Sequence, residues 1–269
     1  MKKFLRIAFI CIMLLALYLP ILILAVYSFT TSANIGTIHG FSFQNYITLF
    51  TKPELADMIW GTVILAIAAA AISTILGTTG AIGAFYSKKI PSGIVGAMNR
   101  IPVVNAEVVT GFAICILLIV VLGVGKDTFV PLVVGHVVLC SPFVYLSVVP
   151  KLKQMDSSLY EAAMDLGASP VQALMKVVLP QIMPGIVSGF ALALTLSLDD
   201  YFITTYTKPA TFDTISTYVV NATKGSQTEI KTALWALSTV IFLIVILLVV
   251  LMNVTGRNKE NDRKGEARG

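Results

Sequence analysis

The stretch Glu161-Ala-Ala-Met-Asp-Leu-Gly-Ala-Ser-Pro-Val-Gln-Ala-Leu-Met-Lys-Val-Val-Leu-Pro180 is a polar, helix-forming segment in a chain that is otherwise largely apolar. Gly167 suits the left-handed position that ends a helix. Ser169 then provides an N-cap, Pro170 occupies the first helical position, and Gln172 completes a capping box with Ser169. The pattern predicts one helix, a turn at Gly167 and a second helix.

The first of these two helices has two candidate caps. Ser158 and Glu161 have the spacing of a capping box. Asp156 is an equally suitable N-cap two residues earlier. The sequence leaves both alternatives open.

The composition places the chain in a membrane. Hydrophobic residues make up 57% of the 269 residues and charged residues only 12%, whereas soluble domains carry about 25% charged residues. The net charge of +5 does not indicate a nucleic-acid partner, because the basic residues flank apolar segments. The composition therefore predicts an all-α, polytopic membrane protein in contact with lipid.

Six apolar segments are long enough to cross a bilayer, which takes about 20 helical residues. They are residues 7–29, 58–86, 102–122, 129–149, 184–206 and 232–254. The first is longer than the apolar part of a signal peptide, the alternative interpretation, which spans about 7 to 15 residues. We expect one transmembrane domain over residues 1–256 and a charged tail over residues 257–269.

The basic residues predict the orientation of these spans. Fourteen of the 19 lysine and arginine residues fall on the side that holds both termini, and five fall on the other side. Because cytoplasmic segments carry the excess of positive charge, both termini and residues 150–182 are predicted to be cytoplasmic. Residues 30–57 and 207–231 are then the outer polar segments.

The sequence predicts no cofactor, metal or catalytic motif. The stretch Gly123-Val-Gly-Lys-Asp-Thr128 resembles part of a phosphate-binding loop, but Val120 and Asp127 occupy positions where that motif needs Gly and Ser or Thr. His136, within a span, is interpreted as a hydrogen-bonded packing residue in preference to a proton relay, because no chain of histidine and carboxylate residues is evident in the sequence. The three cysteines lie in separate spans and suggest packing residues. We expect the chain not to be an enzyme.

Acidic residues inside spans are candidates for a transport path, because burying a carboxylate in a membrane is costly. Asp199 and Asp200 are adjacent in the fifth span, where each either faces a path or caps and supports the bundle. Glu107, near the inner end of the third span, is either a second acidic site or a carboxylate stabilised by the helix dipole. Tyr201 offers either a cation–π contact or an aromatic belt residue.

The segment from Glu161 to Pro180 resembles a known family signature. Glu161-Ala162-Ala163, then Gly167 and Leu179-Pro180, is similar to the cytoplasmic EAA signature of permease subunits of bacterial ABC importers, with Val177 where the signature usually has Ile. The resemblance implies a type I ABC importer permease fold with six transmembrane helices. It also implies an ATPase-coupling role for Glu161, Ala162, Ala163, Gly167 and Pro180.

Further stretches resemble spermidine/putrescine-type polyamine permeases, including Tyr18-Leu-Pro-Ile, Ser141-Pro-Phe-Val and Leu196-Ser-Leu-Asp-Asp200. This resemblance implies a polyamine substrate, a second permease subunit in a heterodimer, two ATPase subunits that bind the ATP, and an extracytoplasmic substrate-binding protein. The main alternative is the same importer class acting on an iron complex, a phosphonate or thiamine. A secondary transporter is disfavoured, because it would need no EAA segment.

Overall fold

The computed structural model of the chain describes residues 2–30, 40–156, 158–224, 233–240, 242–243 and 246. Over these residues the secondary structure is helical except for one isolated bridge between Thr30 and Phe41, which confirms the all-α prediction. The helices are α1 (Lys2–Ser28), α2 (Gln44–Thr51), α3 (Pro53–Tyr86), α4 (Lys89–Val104), α5 (Glu107–Cys115), α6 (Val130–Gln154), α7 (Ser158–Asp165), α8 (Pro170–Ala173), α9 (Leu179–Asp199), α10 (Phe202–Thr207) and α11 (Ile215–Lys224). Two π-helical stretches, Ile116–Val121 and Leu174–Val178, follow α5 and α8.

Four helical stretches are long and apolar enough to span a membrane. They are Leu5–Ser28, Pro53–Tyr86, Val130–Gln154 and Pro170–Asp199. A fifth candidate is the pair Lys89–Val104 and Glu107–Val121, which is bent by 106°. These five overlap the first five predicted spans. The sixth predicted span, 232–254, lies mostly outside the described residues. Within it, residues 233–240 are described and are helical.

The region between the second and third spans differs from the prediction. The predicted spans 58–86 and 102–122 leave residues 87–101 as a connection, whose basic residues and Pro91 suggest a loop with a turn, but α4 covers Lys89–Val104. Pro91 is compatible with the helix because it lies in the first turn, where its missing N–H would have no partner. The next helix begins at Glu107, five residues later than predicted, because the backbone of Asn105 is extended.

The predicted fifth span, 184–206, also has different bounds. Helical structure runs without a break from Pro170 through the π turn to Asp199, and α10 is a separate short helix. In the π turn the N–H of Leu179 donates to the carbonyl of Leu174, five residues back. A π turn next to Pro180 relieves the clash and the lost hydrogen bond that proline causes in a regular helix.

The predicted outer loop, 207–231, contains a helix, α11. The helix has a polar cap that the sequence analysis did not recognise. The Thr217 N–H donates to Thr214 Oγ1 at 3.4 Å, and the Thr214 N–H donates to Thr217 Oγ1 at 2.9 Å. Threonine side chains at these two positions satisfy N–H groups at the start of the helix.

The chain divides into two compact units, residues 1–56 with 219–269 and residues 57–218. In the first unit, the side-chain amide of Asn45 donates to the carbonyls of Ser28 and Thr30, both at 2.9 Å. The Tyr27 ring packs edge-on against Trp235, with centroids 5.7 Å apart. These contacts fasten the end of α1 to its neighbours within that unit.

The core of the second unit is the close contact between α6 and α9. Buried small residues recur every four positions on α9, at Gly185, Gly189, Ala193 and Ser197. A Cβ at Gly189 would lie 3.1 Å from the Cα of Val144, so the two backbones approach closely. Small residues permit this approach between membrane helices, where van der Waals packing drives association.

Helix α3 also packs closely on α6 at a small residue. A Cβ on Gly77 would lie 2.8 Å from the carbonyl oxygen of Ser141 and 2.7 Å from the Cβ of Val144. By contrast, a Cβ on Gly83, on the same helix, would have no atom within 4 Å. Gly77 is therefore the position at which α3 can pack closely on α6.

Candidate functional site

The segment between α6 and α9 begins with a carboxylate cap. Asp156 Oδ1 accepts hydrogen bonds from the backbone N–H of Ser158 at 3.0 Å and from its hydroxyl at 2.8 Å. These hydrogen bonds to Ser158 hold the pKa of Asp156 below its usual value. Of the two caps that the sequence left open, Asp156 is therefore the one used, and Ser158 is the first residue of α7.

The turn between α7 and α8 depends on Gly167, whose φ of +86° lies in the left-handed region. The N–H of Ala168 donates to the carbonyl of Ala163 at 3.0 Å, and the N–H of Gly167 donates to that of Met164 at 2.9 Å. These two bonds form a Schellman motif, which satisfies carbonyls at the end of a helix. The predicted turn is confirmed.

The second helix starts with the predicted capping box. The Ser169 N–H donates to Gln172 Oε1 at 3.0 Å, and the Gln172 N–H donates to Ser169 Oγ at 3.3 Å. Pro170 occupies the first helical position. Since α8 continues through the π turn into α9, the second helix of this segment and the following span are one continuous helix.

The surface of this segment is open and partly apolar. Glu161, Ala162 and Pro180 are exposed, whereas Ala163 is half-buried. Large apolar side chains are exposed beside them, and Leu166 is 90% exposed. The Tyr160 ring packs on Tyr86 at the end of α3, with centroids 5.0 Å apart. The segment thus presents a short, well-capped helix pair with an apolar surface that another protein can cover.

The candidate acidic residues lie close together at the opposite end of α9. Helix α5 approaches α10 closely, since a Cβ on Gly111 would be 3.0 Å from the Cα of Ile203. This packing brings Glu107 within electrostatic range of both Asp200 and Asp199. Glu107 and Asp199 are exposed, and Tyr201 next to them is half-buried. The sequence alone could not show that Glu107 lies near the two aspartates. The predicted position of Glu107, near the inner end of the third span, did not indicate this grouping.

Asp200 differs from its neighbour because it is a buried helix cap, only 5% exposed. Its carboxylate accepts hydrogen bonds from the N–H of Ile203 at 3.2 Å, and from the N–H and hydroxyl of Thr204 at 2.7 and 2.8 Å. The backbone of Asp200 is extended, which separates α9 from α10. Of the two roles open in the sequence, capping describes the contacts that Asp200 makes.

His136 lies beside this cap, fully buried in α6. Its Nδ1 is 2.7 Å from Ser197 Oγ and its Nε2 is 3.0 Å from Thr204 Oγ1, so both ring nitrogens have partners. This confirms the hydrogen-bonded packing role. A carboxylate does lie nearby, which the sequence had not indicated, since Nε2 is 3.7 Å from Asp200 Oδ2. The spacing of Ser197, Asp200 and Thr204 at three and four residues was the signal that the sequence analysis missed.

Replacing Asp200 with alanine is expected to destabilise the protein by about 3 kcal/mol, because three buried donors lose their acceptor. Asp200→Asn should destabilise the protein by only about 1 kcal/mol, since the side-chain oxygen of asparagine still caps one N–H. The matched control is Asp199→Ala, where the side chain is exposed. Thermal melting of the purified complex measures the difference. Equal melting temperatures for Asp199→Ala and Asp200→Ala would contradict the capping role.

No group of three or more His, Cys, Asp or Glu side chains that could hold a metal ion is present among the residues that the structure describes. The acidic group instead combines exposed carboxylates, Glu107 and Asp199, with a buried carboxylate that fixes the helix break. Such an arrangement can attract a cationic solute without rearranging the bundle.

Residues 79–258 match the family described as binding-protein-dependent transport system inner membrane component. The spermidine/putrescine transport system permease protein PotC of Haemophilus influenzae is 31% identical over 261 residues, covering 97% of this chain and 99% of that protein. The putrescine transport system permease protein PotI of Escherichia coli K12 is 33% identical over 195 residues, covering 71% and 69%.

A solved structure shares the fold at low sequence identity. It is a bacterial alginate ABC transporter in complex with an alginate pentasaccharide-bound periplasmic protein. The TM-score is 0.70 at 18% identity, and the match covers 92% of this chain and 91% of that one. With the apolar helices and the capped segment between α6 and α9, these matches show that the chain is a multi-pass membrane permease and belongs to the family of binding-protein-dependent transport system inner membrane components.

Proposed function

We propose that this permease moves polyamines such as spermidine and putrescine across the membrane. The observation that supports this substrate is the pair of exposed carboxylates, Glu107 and Asp199, that lies at the break between α9 and α10. Polyamines carry two or more positive charges, and fixed negative charges offset the cost of removing them from water. The names of the relatives from H. influenzae and E. coli agree with this assignment.

Within this path we assign different roles to the four candidate residues. Glu107 and Asp199 face the solute as fixed anions. The half-buried ring of Tyr201 adds a cation–π contact to an ammonium group. Asp200 holds the helix break in place through its cap and contributes negative charge at short range.

The capped segment between α6 and α9 couples transport to ATP hydrolysis. Glu161, Ala162, Ala163, Gly167 and Pro180 belong to a rigid helix pair whose exposed apolar surface suits a cleft on a separate ATPase subunit. A rigid element transmits a displacement that a flexible loop would absorb. In this proposal the ATP is bound by two partner ATPases, and this chain binds no nucleotide or other cofactor and catalyses no reaction.

The remaining partners follow from the same proposal. A second, related permease completes a heterodimer, and an extracytoplasmic binding protein delivers the substrate to the outer segments 30–57 and 207–231. Both termini and the coupling segment then face the cytoplasm, in accord with the distribution of basic residues. The transmembrane domain covers residues 1–256, and residues 257–269 form a cytoplasmic tail.

The test is uptake of labelled spermidine and putrescine by cells that lack polyamine import and express the complete importer. The double variant Glu107→Gln/Asp199→Asn is expected to lower uptake at low substrate concentration about tenfold, which corresponds to losing about 1.4 kcal/mol of interaction with the cation. Asp127→Asn, an exposed carboxylate outside the group, is the matched control. Uptake of neither polyamine by an assembled complex whose ATPase responds to the binding protein would overturn the polyamine assignment and favour another solute of the same importer class.

A further inference from the structure

A cavity of about 390 Å³ lies between the ends of α3, α4 and α6, on the side of the second unit where α7 begins. Its size falls within the range of about 300 to 1,000 Å³ that is usual for small-ligand sites. The polar residues that line it are Ser92, Arg100, Tyr145 and Lys153. All four side chains are hydrogen-bond donors, and no carboxylate lines the cavity.

The two basic residues of the cavity lack a counterion in the protein. Over the described ranges, neither Arg100 nor Lys153 forms an ion pair or a side-chain hydrogen bond, and the Ser92 hydroxyl has no partner either. Both side chains are exposed, so solvent screens part of their mutual repulsion, and an anion at the cavity would stabilise the pair further. Arginine and lysine together with hydroxyl donors are the usual ligands of phosphate groups.

Tyr145 offers a further hydrogen-bond donor to this space. The residue is only 6% exposed, yet its hydroxyl makes no hydrogen bond to any part of the chain that the structure describes. A Cβ on Gly96, which also lines the cavity, would lie 3.6 Å from that hydroxyl. The hydroxyl oxygen itself is accessible at the cavity, so it can donate a hydrogen bond to a group that enters there.

The outer surface of α4 indicates which kind of anion enters. Four large apolar side chains recur along this helix and are exposed, namely Ile90, Ile94, Met98 and Ile101. They lie about 100° around the helix from Gly93, Ala97 and Arg100, which line the cavity. The helix thus presents a face of small residues that carries Arg100 beside an apolar face, and a basic residue next to exposed apolar side chains is common in helices at a membrane surface. A phospholipid has a matching phosphate group and acyl chains.

We propose that the cavity binds the phosphate headgroup of an anionic phospholipid. The Arg100 guanidinium and the Lys153 ammonium pair with the phosphate, and the hydroxyls of Ser92 and Tyr145 donate to its oxygens. The acyl chains lie along the apolar face of α4. Basic pockets between membrane helices bind lipid headgroups by this chemistry. The site adjoins the start of the coupling segment and is independent of the identity of the transported solute.

The experiment uses the complete importer in nanodiscs of phosphatidylcholine alone or mixed with phosphatidylglycerol. Native mass spectrometry measures the lipid that stays bound after transfer to detergent. Wild type is expected to retain phosphatidylglycerol selectively. Arg100→Gln/Lys153→Gln should weaken this retention about 25-fold, since each basic residue near a headgroup contributes about a fivefold factor. The matched control Lys88→Gln/Lys89→Gln removes the same charge from residues that are equally exposed but lie outside the cavity, and it should change retention less than about twofold, because these lysines do not contact the bound headgroup and salt screens their more distant charge.

Two further variants keep the test decisive if the double variant folds poorly. Gly96→Leu fills the cavity without altering its charge, and Tyr145→Phe removes one hydroxyl. Both are expected to reduce phosphatidylglycerol retention while the phosphatidylcholine signal stays unchanged. Equal retention of the two lipids by wild type would overturn the proposal, as would equal losses in the control pair and the double variant. If inorganic phosphate alone binds to the importer in phosphatidylcholine nanodiscs as phosphatidylglycerol does, with the same dependence on Arg100 and Lys153, the site binds a free anion and not a lipid.

Discussion

Replacing Gly167 with proline is expected to abolish transport while leaving the subunit in the membrane. The backbone φ of +86° is outside the range near −65° that the proline ring permits. Proline also lacks the N–H that Gly167 donates to Met164 in the Schellman motif. No atom lies within 4 Å of the Cβ position, so the effect comes from the backbone and not from a steric clash. The helix pair that we propose to dock on the ATPase should therefore lose its bend.

The measurement compares substrate uptake with ATPase activity stimulated by the binding protein, in the same reconstituted importer. We expect uptake to fall at least about 100-fold, with residual ATPase activity no longer responding to the binding protein. Gly167→Asn is the matched control, because asparagine tolerates the left-handed conformation, and it should retain most of the transport. Normal transport by Gly167→Pro would contradict the coupling role of this turn.

Replacing Gly77 with alanine is expected to prevent correct packing of the membrane bundle. The added methyl group would meet the carbonyl oxygen of Ser141 at 2.8 Å and the Cβ of Val144 at 2.7 Å. A backbone oxygen cannot move aside as the end of a flexible side chain can, so α3 and α6 must separate. Forcing an extra carbon into a close contact of this kind costs about 1 to 3 kcal/mol, and lost van der Waals contacts along the seam add to it.

The yield and melting temperature of the detergent-purified complex measure this effect. Gly83→Ala is the matched control, since the same substitution on the same helix meets no atom within 4 Å. We expect Gly83→Ala to behave as wild type and Gly77→Ala to lower the melting temperature by several degrees or to reduce the yield of assembled complex. Equal yields and melting temperatures for the two variants would show that α3 and α6 do not pack as closely as described.

The features that the sequence predicted correctly depend on neighbouring residues. Gly167 and the Ser169–Gln172 capping box are local signals, because each needs only a few consecutive residues to form its hydrogen bonds. The long apolar runs are local in the same sense. They predicted where the first five apolar helical stretches lie, but not where helices break, because Pro91 and Pro180 are compatible with helix in their actual settings.

The features that the sequence could not predict depend on residues far apart in the chain. Glu107 lies near Asp199 only because α5 bends away from α4 and packs on α10 through Gly111. His136 lies beside Asp200 because the small residues of α9 bring that helix against α6. The spacing of Ser197, Asp200 and Thr204 groups these polar residues, but nothing in the sequence pairs them with His136 or pairs Glu107 with Asp199. The roles of the coupling and path residues therefore stay predictions until the variants above are measured.

The uninterrupted helix from Pro170 to Asp199 has a mechanical consequence. Its 30 residues extend about 45 Å at 1.5 Å per residue, from the turn at Gly167 to the exposed acidic group. A tilt of about 10° about one end of such a rod displaces the other end by about 8 Å. The π turn at Leu174–Val178 allows Pro180 to occur without dividing this rod into two pieces. One rigid-body motion can thus move both ends at once, and no chain of side-chain rearrangements through the bundle is needed.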